Sequence, residues 1–187
     1  MVETLAAAAT GIALAASAGL RAFLPLFAAG VAARWFQWPL ASSVGWLSSD
    51  AALVIFGLAS TVEVLADKVP AVDHLLDLLQ TVLSPIAGAV AALAGVQGWP
   101  APFALALAII IGAPVAGGFH AIGALTRLKS TAATAGTANP VLSALEDVLA
   151  TVIIVLAFLA PLIVLLLLAW FVWRWLKRRH STSVVAV

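Results

Sequence analysis

Residues 148–173 run for 26 positions without a charged side chain. About 20 helical residues suffice to cross the ~30 Å hydrocarbon core of a bilayer. In lipid every backbone N–H and C=O must find its partner within the segment, so such a stretch has to be helical. Pro161 lies inside it and has no N–H to give, which predicts a kink. Composition carries the argument to the whole chain. Of its 187 residues 64% are hydrophobic and 9% charged, against roughly 25% charged in a soluble domain. So few charges cannot cover a surface that faces water. The expected fold is an all-α integral membrane protein, a bundle of four to five transmembrane helices. One transmembrane domain covers residues 1–180, and residues 181–187 form a short C-terminal tail.

Four further apolar stretches precede the last one. Residues 5–33 are too long for one straight span and contain Arg21, so they form a tilted helix or one broken near Ser17-Ala18-Gly19. Residues 51–66 are short and contain Glu63; residues 82–96 are Ala- and Gly-rich and either span or re-enter; residues 102–125 contain His120. The N-terminus resembles a signal peptide only in its apolar run. No Lys or Arg precedes that run, so it reads as part of the mature protein. The connections carry Trp35, Phe36, Trp38, Trp46 and Trp99, and the last stretch closes on Trp170, Phe171, Trp173 and Trp175. Indole rings prefer the headgroup level, so these mark membrane interfaces.

Arg174, Lys177, Arg178 and Arg179 predict a cytoplasmic C-terminus in a multi-pass protein of the bacterial inner membrane. With five crossings the N-terminus lies outside and Arg34 inside. Asp67, Lys68, Asp73, His74, Asp77, Arg127, Lys129, Glu146 and Asp147 then all fall on the outer side, with Glu63 about one turn below and His120 about two.

The densest polar segment runs from Glu63 to Thr81. Pro70 suits a first helical turn, and Asp73, Asp77, Gln80 and Thr81 then share one face, which predicts a short amphipathic helix over about 70–81. Its carboxylates and His74 suit a divalent cation or a proton relay, or else a solvated face. Asp73, Asp77, Glu146 and Asp147 are the candidate ligands of a divalent metal ion. In the second cluster, Asn139 is placed to cap a helix starting at Pro140, and Ser143 with Glu146 has capping-box spacing. Neither cap accounts for the adjacent carboxylates Glu146 and Asp147. Arg127 and Lys129 neutralise these acids or hold an anionic substrate group. A carboxylate and a guanidinium inside apolar stretches need partners, so Arg21 is expected to pair with Glu63.

These residues carry a resemblance. Ala66-Asp67-Lys68-Val69-Pro70 with Asp73, Asp77, Thr81, Pro85 and Gly88 is similar to the signature of a bacterial membrane family called domain of unknown function 4126. So are Gly19-Leu20-Arg21-Ala22-Phe23-Leu24-Pro25, and Asn139-Pro140 with Ser143, Glu146 and Asp147. The resemblance covers nearly the whole chain. It implies a membrane fold and points to these motifs, and it supplies no reaction.

The net charge of +1 argues against a nucleic-acid partner, which needs a concentrated basic face, and the absence of Cys excludes disulfides and thiolate chemistry. No nucleophile–base pair and no zinc motif stands out. The first reading is a small transporter or channel for an ion or small solute. Its site would draw on Arg21, Glu63, Asp67, Lys68, Asp73, His74, Asp77, His120, Arg127, Asn139, Glu146 and Asp147. The alternatives are a structural or assembly protein of the membrane, and a metal-dependent enzyme acting on a lipid-linked phosphate. The partners expected are the lipid bilayer and a small ion or solute, with a homodimer formed through the Ala- and Gly-rich residues 87–95.

Overall fold

A computed structural model describes residues 1–67 and 70–182 of the chain. Among these residues eight α-helices run in the order α1 (Val2–Leu20), α2 (Leu24–Phe36), α3 (Asp50–Ala66), α4 (Pro70–Gly95), α5 (Ala101–Leu107), α6 (Ala113–Thr134), α7 (Asn139–Leu159) and α8 (Pro161–Thr182). A 3-10 segment, Ser42–Ser48, precedes α3, and a π turn, Ala108–Gly112, joins α5 to α6. Among the described residues four stretches are long and apolar enough to cross a membrane: α1, Leu75–Gly95 of α4, the continuous run Ala101–Thr134, and α7. Ser42–Ser48 with α3, bent by 73°, makes a fifth if it counts as one broken span. The all-helical membrane bundle is the expected fold.

The first apolar stretch is two helices, and the break lies at residues 21–23 rather than at Gly19. Pro25 has no N–H for the carbonyl of Arg21, and its ring would clash there. The chain therefore leaves the helix at Arg21 (φ −141°, ψ 107°) and restarts with Pro25 in the first turn of α2, where no donor is required. The helices form a hairpin. Glu3, Thr4 and Ala7 of α1 share a pocket with Pro39, Gln97 and Trp99, so the two arms start and finish at the same end of the bundle. This corrects the expected topology: the N-terminus lies on the side of the α2–α3 connection, not opposite it.

Other expectations shift with it. The amphipathic segment 70–81 is not a separate helix. It forms the first turns of the 26-residue α4, which continues through Pro85. Residues 82–96 therefore belong to a full span. Pro114 explains the π turn, because the carbonyl one helical turn before it lacks a donor. The last stretch breaks at Ala160 (φ −150°, ψ 63°), one residue before Pro161, where α7 gives way to α8.

Helix α1 is the centre of the bundle and packs against α4, α6, α7 and α8. Small residues make that possible. A Cβ on Gly95 of α4 would collide with the backbone of Gly11, and one on Gly11 would stand 2.7 Å from the carbonyl oxygen of Ala92. Ala87, Ala91, Ala92 and Ala94 are buried in the same seam. The face expected to hold a second copy is thus used within the chain. Hydroxyls stitch the other side of α1: Thr10 Oγ1 donates to Ala157 O at 3.2 Å and Ser17 Oγ to Ala150 O at 3.3 Å. These antiparallel contacts place the C-terminal end of α1 beside the start of α7.

Candidate functional site

The helix break at Arg21 delivers its side chain, wholly buried, into the bundle. Its guanidinium forks between three partners. Nη1 meets Asp67 Oδ2 at the end of α3, Nε meets Asp147 Oδ1 of α7 at 2.5 Å, and Nη2 donates to the carbonyl and the hydroxyl of Ser143 at 3.1 and 3.0 Å. A planar fork can serve such a set where an ammonium cannot.

The expected Arg21–Glu63 pair is not what the fold builds. Glu63 instead closes the hairpin tip. Its Oε1 accepts from Ala22 N at 2.7 Å and its Oε2 from Phe23 N at 3.2 Å, the amides that the break leaves without helical acceptors. Gln80 Nε2 of α4 donates to Oε1 at 2.7 Å. Glu63 thereby ties α3 to α2 and α4, while the guanidinium beside it takes carboxylates from elsewhere.

A second hub stands on α6. Arg127 Nη1 meets Asp77 of α4, and Nη2 meets Glu146 Oε2 of α7 at 2.6 Å. Gly123, one turn earlier on α6, leaves room for this pair, since a Cβ there would lie 2.9 Å from Glu146 Oε1. Adjacent residues on α7 point about 100° apart, given 3.6 residues per turn. Asp147 can therefore reach Arg21 while Glu146 reaches Arg127, and α7 couples the two hubs.

Of the sequence candidates, Arg21, Glu63, Asp67, Asp77, Arg127, Glu146 and Asp147 converge at one end of the bundle. His120 sits beside them on α6, its Nε2 3.4 Å from Thr81 Oγ1. Lys68 lies outside the described residues, as do the side chains of Asp73 and His74. Asn139 stands apart and caps nothing. Its Nδ2 donates to Thr131 Oγ1 at 2.9 Å, and the N-cap of α7 is Ala138. The capping box is likewise absent, because Ser143 and Glu146 serve the arginines. Asp77, Glu146 and Asp147 face guanidinium groups, and among the described residues no group of three or more Asp, Glu or His side chains is arranged to hold a metal ion. The sequence reading passed over Gln80, Ser143 and Gly123 as site residues. The signal for Gln80 was present, since Asp77, Gln80, Thr81 and Ser84 follow helical spacing down one face of α4.

Fold and site together define an all-helical membrane protein with a buried arginine–carboxylate cluster at one end of its spans. The chain belongs to the family described as "Domain of unknown function (DUF4126)", whose model matches residues 8–178. No curated protein and no solved structure matches the chain.

Proposed function

We propose that the protein is a small membrane transporter that moves a proton or small cation through the arginine–carboxylate cluster. One observation carries the reading. Among the described residues five carboxylates, those of Glu63, Asp67, Asp77, Glu146 and Asp147, share the cluster with two guanidiniums, those of Arg21 and Arg127. Uncompensated charge at membrane depth is expensive, so the excess calls for protons or cations that enter and leave. A helix broken at a polar site is also the usual way in which transporters expose backbone groups inside a bilayer. In this reading the protein lies in the bacterial inner membrane, with the basic end of α8 in the cytoplasm.

The test is flux in reconstituted liposomes, with internal dyes for H⁺, Na⁺ and K⁺ and imposed gradients. We expect the wild-type protein to carry one of these ions faster than protein-free vesicles do. Flux should vanish in a folded Asp67→Asn, Glu146→Gln double variant. Absence of flux for every ion would leave the second reading, a structural membrane protein. That reading is favoured by the fact that each of the five carboxylates accepts at least one hydrogen bond or ion pair from the protein itself.

A further inference from the structure

Helices α4 and α6 run antiparallel, and their facing residues form successive rungs. Arg127 meets Asp77 at the rim. One turn further along α4 and two turns back along α6, Thr81 faces His120, with Oγ1 3.4 Å from Nε2. Deeper still, a Cβ on Gly117 would stand 3.4 Å from Pro85 Cγ, and one on Gly88 would collide with Ala116. Small residues thus close the seam beyond His120. The histidine is 6% exposed, whereas Thr81 is exposed and the Asp77 side chain is partly so. Beyond this rung neither helix carries a titratable side chain, so His120 is the innermost such group of the seam.

The hydrogens at this rung can be counted. A threonine hydroxyl has one to give. Thr81 Oγ1 gives it to Asp77 O at 2.9 Å. Towards the imidazole the oxygen can then only accept. Nε2 therefore carries the hydrogen of the neutral ring, and Nδ1 keeps the lone pair. The hydroxyl assigns the tautomer. Among the described side chains, the charges that act on the ring are Asp77 of α4 and Arg127 of α6 itself. Glu146 of α7 stands behind Arg127, which holds it. Helix α1 packs on α6 at Gly19 and carries no charge besides Glu3, at its other end. Arg21, just after α1, is turned to Asp67 and Asp147.

Building on the transport reading, we propose that the carried ion is a proton and that His120 binds it at Nδ1. A proton needs one lone pair, which the fixed tautomer keeps ready. A metal cation such as Na⁺ or K⁺ needs several oxygens in place of its hydration shell. In the step the proton adds to Nδ1, Nε2 keeps its hydrogen, and no other covalent bond forms or breaks. The imidazolium then stands one turn from Asp77 and two turns from Arg127. It attracts the carboxylate and repels the guanidinium, which loosens the rim pair that ties α6 to α4. Loss of the proton restores that pair. Proton binding at His120 and opening of the rim are thereby one event.

The experiment joins two measurements on the full chain. In a His74→Gln, His180→Gln background His120 is the sole histidine. Its ¹⁵N NMR signals in nanodiscs, followed from about pH 5 to about pH 8, report tautomer and charge. We expect the neutral ring to carry its hydrogen on Nε2 and to become imidazolium within that range. In liposomes the wild type should carry H⁺. His120→Gln keeps a donor for Thr81 but cannot take a proton, and its H⁺ flux should drop to that of protein-free vesicles. Its melting temperature shows whether it folds; where it does not, the ring signals decide. The proposal is overturned if the ring stays neutral throughout, if its hydrogen sits on Nδ1, or if folded His120→Gln carries H⁺ at the wild-type rate. It is also overturned, with transport intact, if the wild type carries Na⁺ or K⁺ and not H⁺. If the wild type carries no ion, the transport reading itself fails and the proposal falls with it.

Discussion

Arg21 and Arg127 carry the same charge and each binds two carboxylates, one of them from α7, yet the chain reaches the two arrangements by opposite means. Around Arg21 the helix itself gives way. The backbone leaves helical geometry at Arg21, Glu63 takes up the amides of Ala22 and Phe23, and the guanidinium is sealed from solvent. Around Arg127 the helix runs on unbroken, and space comes from the missing side chain of Gly123. The partners differ as well. The side chain of Asp67 is 1% exposed and that of Asp77 21%, while on α7 the order reverses, with Asp147 at 22% beside Arg21 and Glu146 at 11% beside Arg127. One hub is a joint whose arginine and one carboxylate are sealed, and the other is a rim contact in which neither carboxylate is. A joint of the first kind fixes architecture, and in the proposed reading a rim contact of the second kind is where a proton or ion would enter.

The largest effect should follow from Arg21→Ala. Removing one partner of a buried pair leaves uncompensated charge and costs about 3–5 kcal/mol. Here it strands Asp67 and frees the start of α7 from α1. We expect a steep loss of melting temperature in detergent or nanodiscs, only partly restored by Arg21→Lys, which supplies a point charge in place of a fork. Arg127→Ala should cost roughly half as much, because water can reach Asp77 and, less freely, Glu146. Equal losses for the two variants would break the distinction between joint and rim.

Much of this was legible in the sequence and some was not, for physical reasons. Hydropathy reports the length of an apolar run, so the span over α6 could be read off, whereas α4 begins in polar residues that read as a separate helix and α7 ends at Leu159, before the kink expected at Pro161 inside one span over 148–173. It does not report direction, so the hairpin of α1 and α2 was read as a single passage. The residues that force the turn were nonetheless present, with Pro25 four positions after Arg21. The convergence of Asp67, Asp77, Arg127, Glu146 and Asp147 followed from counting crossings. Their pairing did not. Depth alone made Glu63 the natural partner of Arg21, and only the site of the helix break shows that Glu63 is claimed by two backbone amides. Ser143 looked like a cap because local spacing cannot reveal a guanidinium that arrives from more than a hundred residues away.

A smaller effect should come from Gly123→Ala. The new methyl would press on Glu146 Oε1 and move the carboxylate off Arg127. We expect a loss of about 1–3 kcal/mol by overpacking, measured by thermal unfolding. In a Glu146→Ala background the loss should shrink, because the methyl then has nothing to displace. An undiminished loss would mean that Gly123 serves helix packing rather than the rim hub.

The finest test asks whether α7 joins the hubs or merely touches both. Asp147 and Glu146 are neighbours in sequence, yet the geometry assigns them to different arginines. Double-mutant cycles on stability separate the assignments, since contacting residues couple by about 0.5–3 kcal/mol and independent ones add within about 0.3–0.5 kcal/mol. Arg21→Gln with Asp147→Asn should couple, and so should Arg127→Gln with Glu146→Gln. The crossed pair, Arg21→Gln with Glu146→Gln, should be nearly additive if α7 is a rigid divider between a sealed joint and a rim. Strong coupling in the crossed pair would make the seven groups one electrostatic unit. A proton or cation taken up at the rim would then be felt at Arg21, and the contrast between the hubs would become the path along which an ion's arrival is transmitted to the helix break.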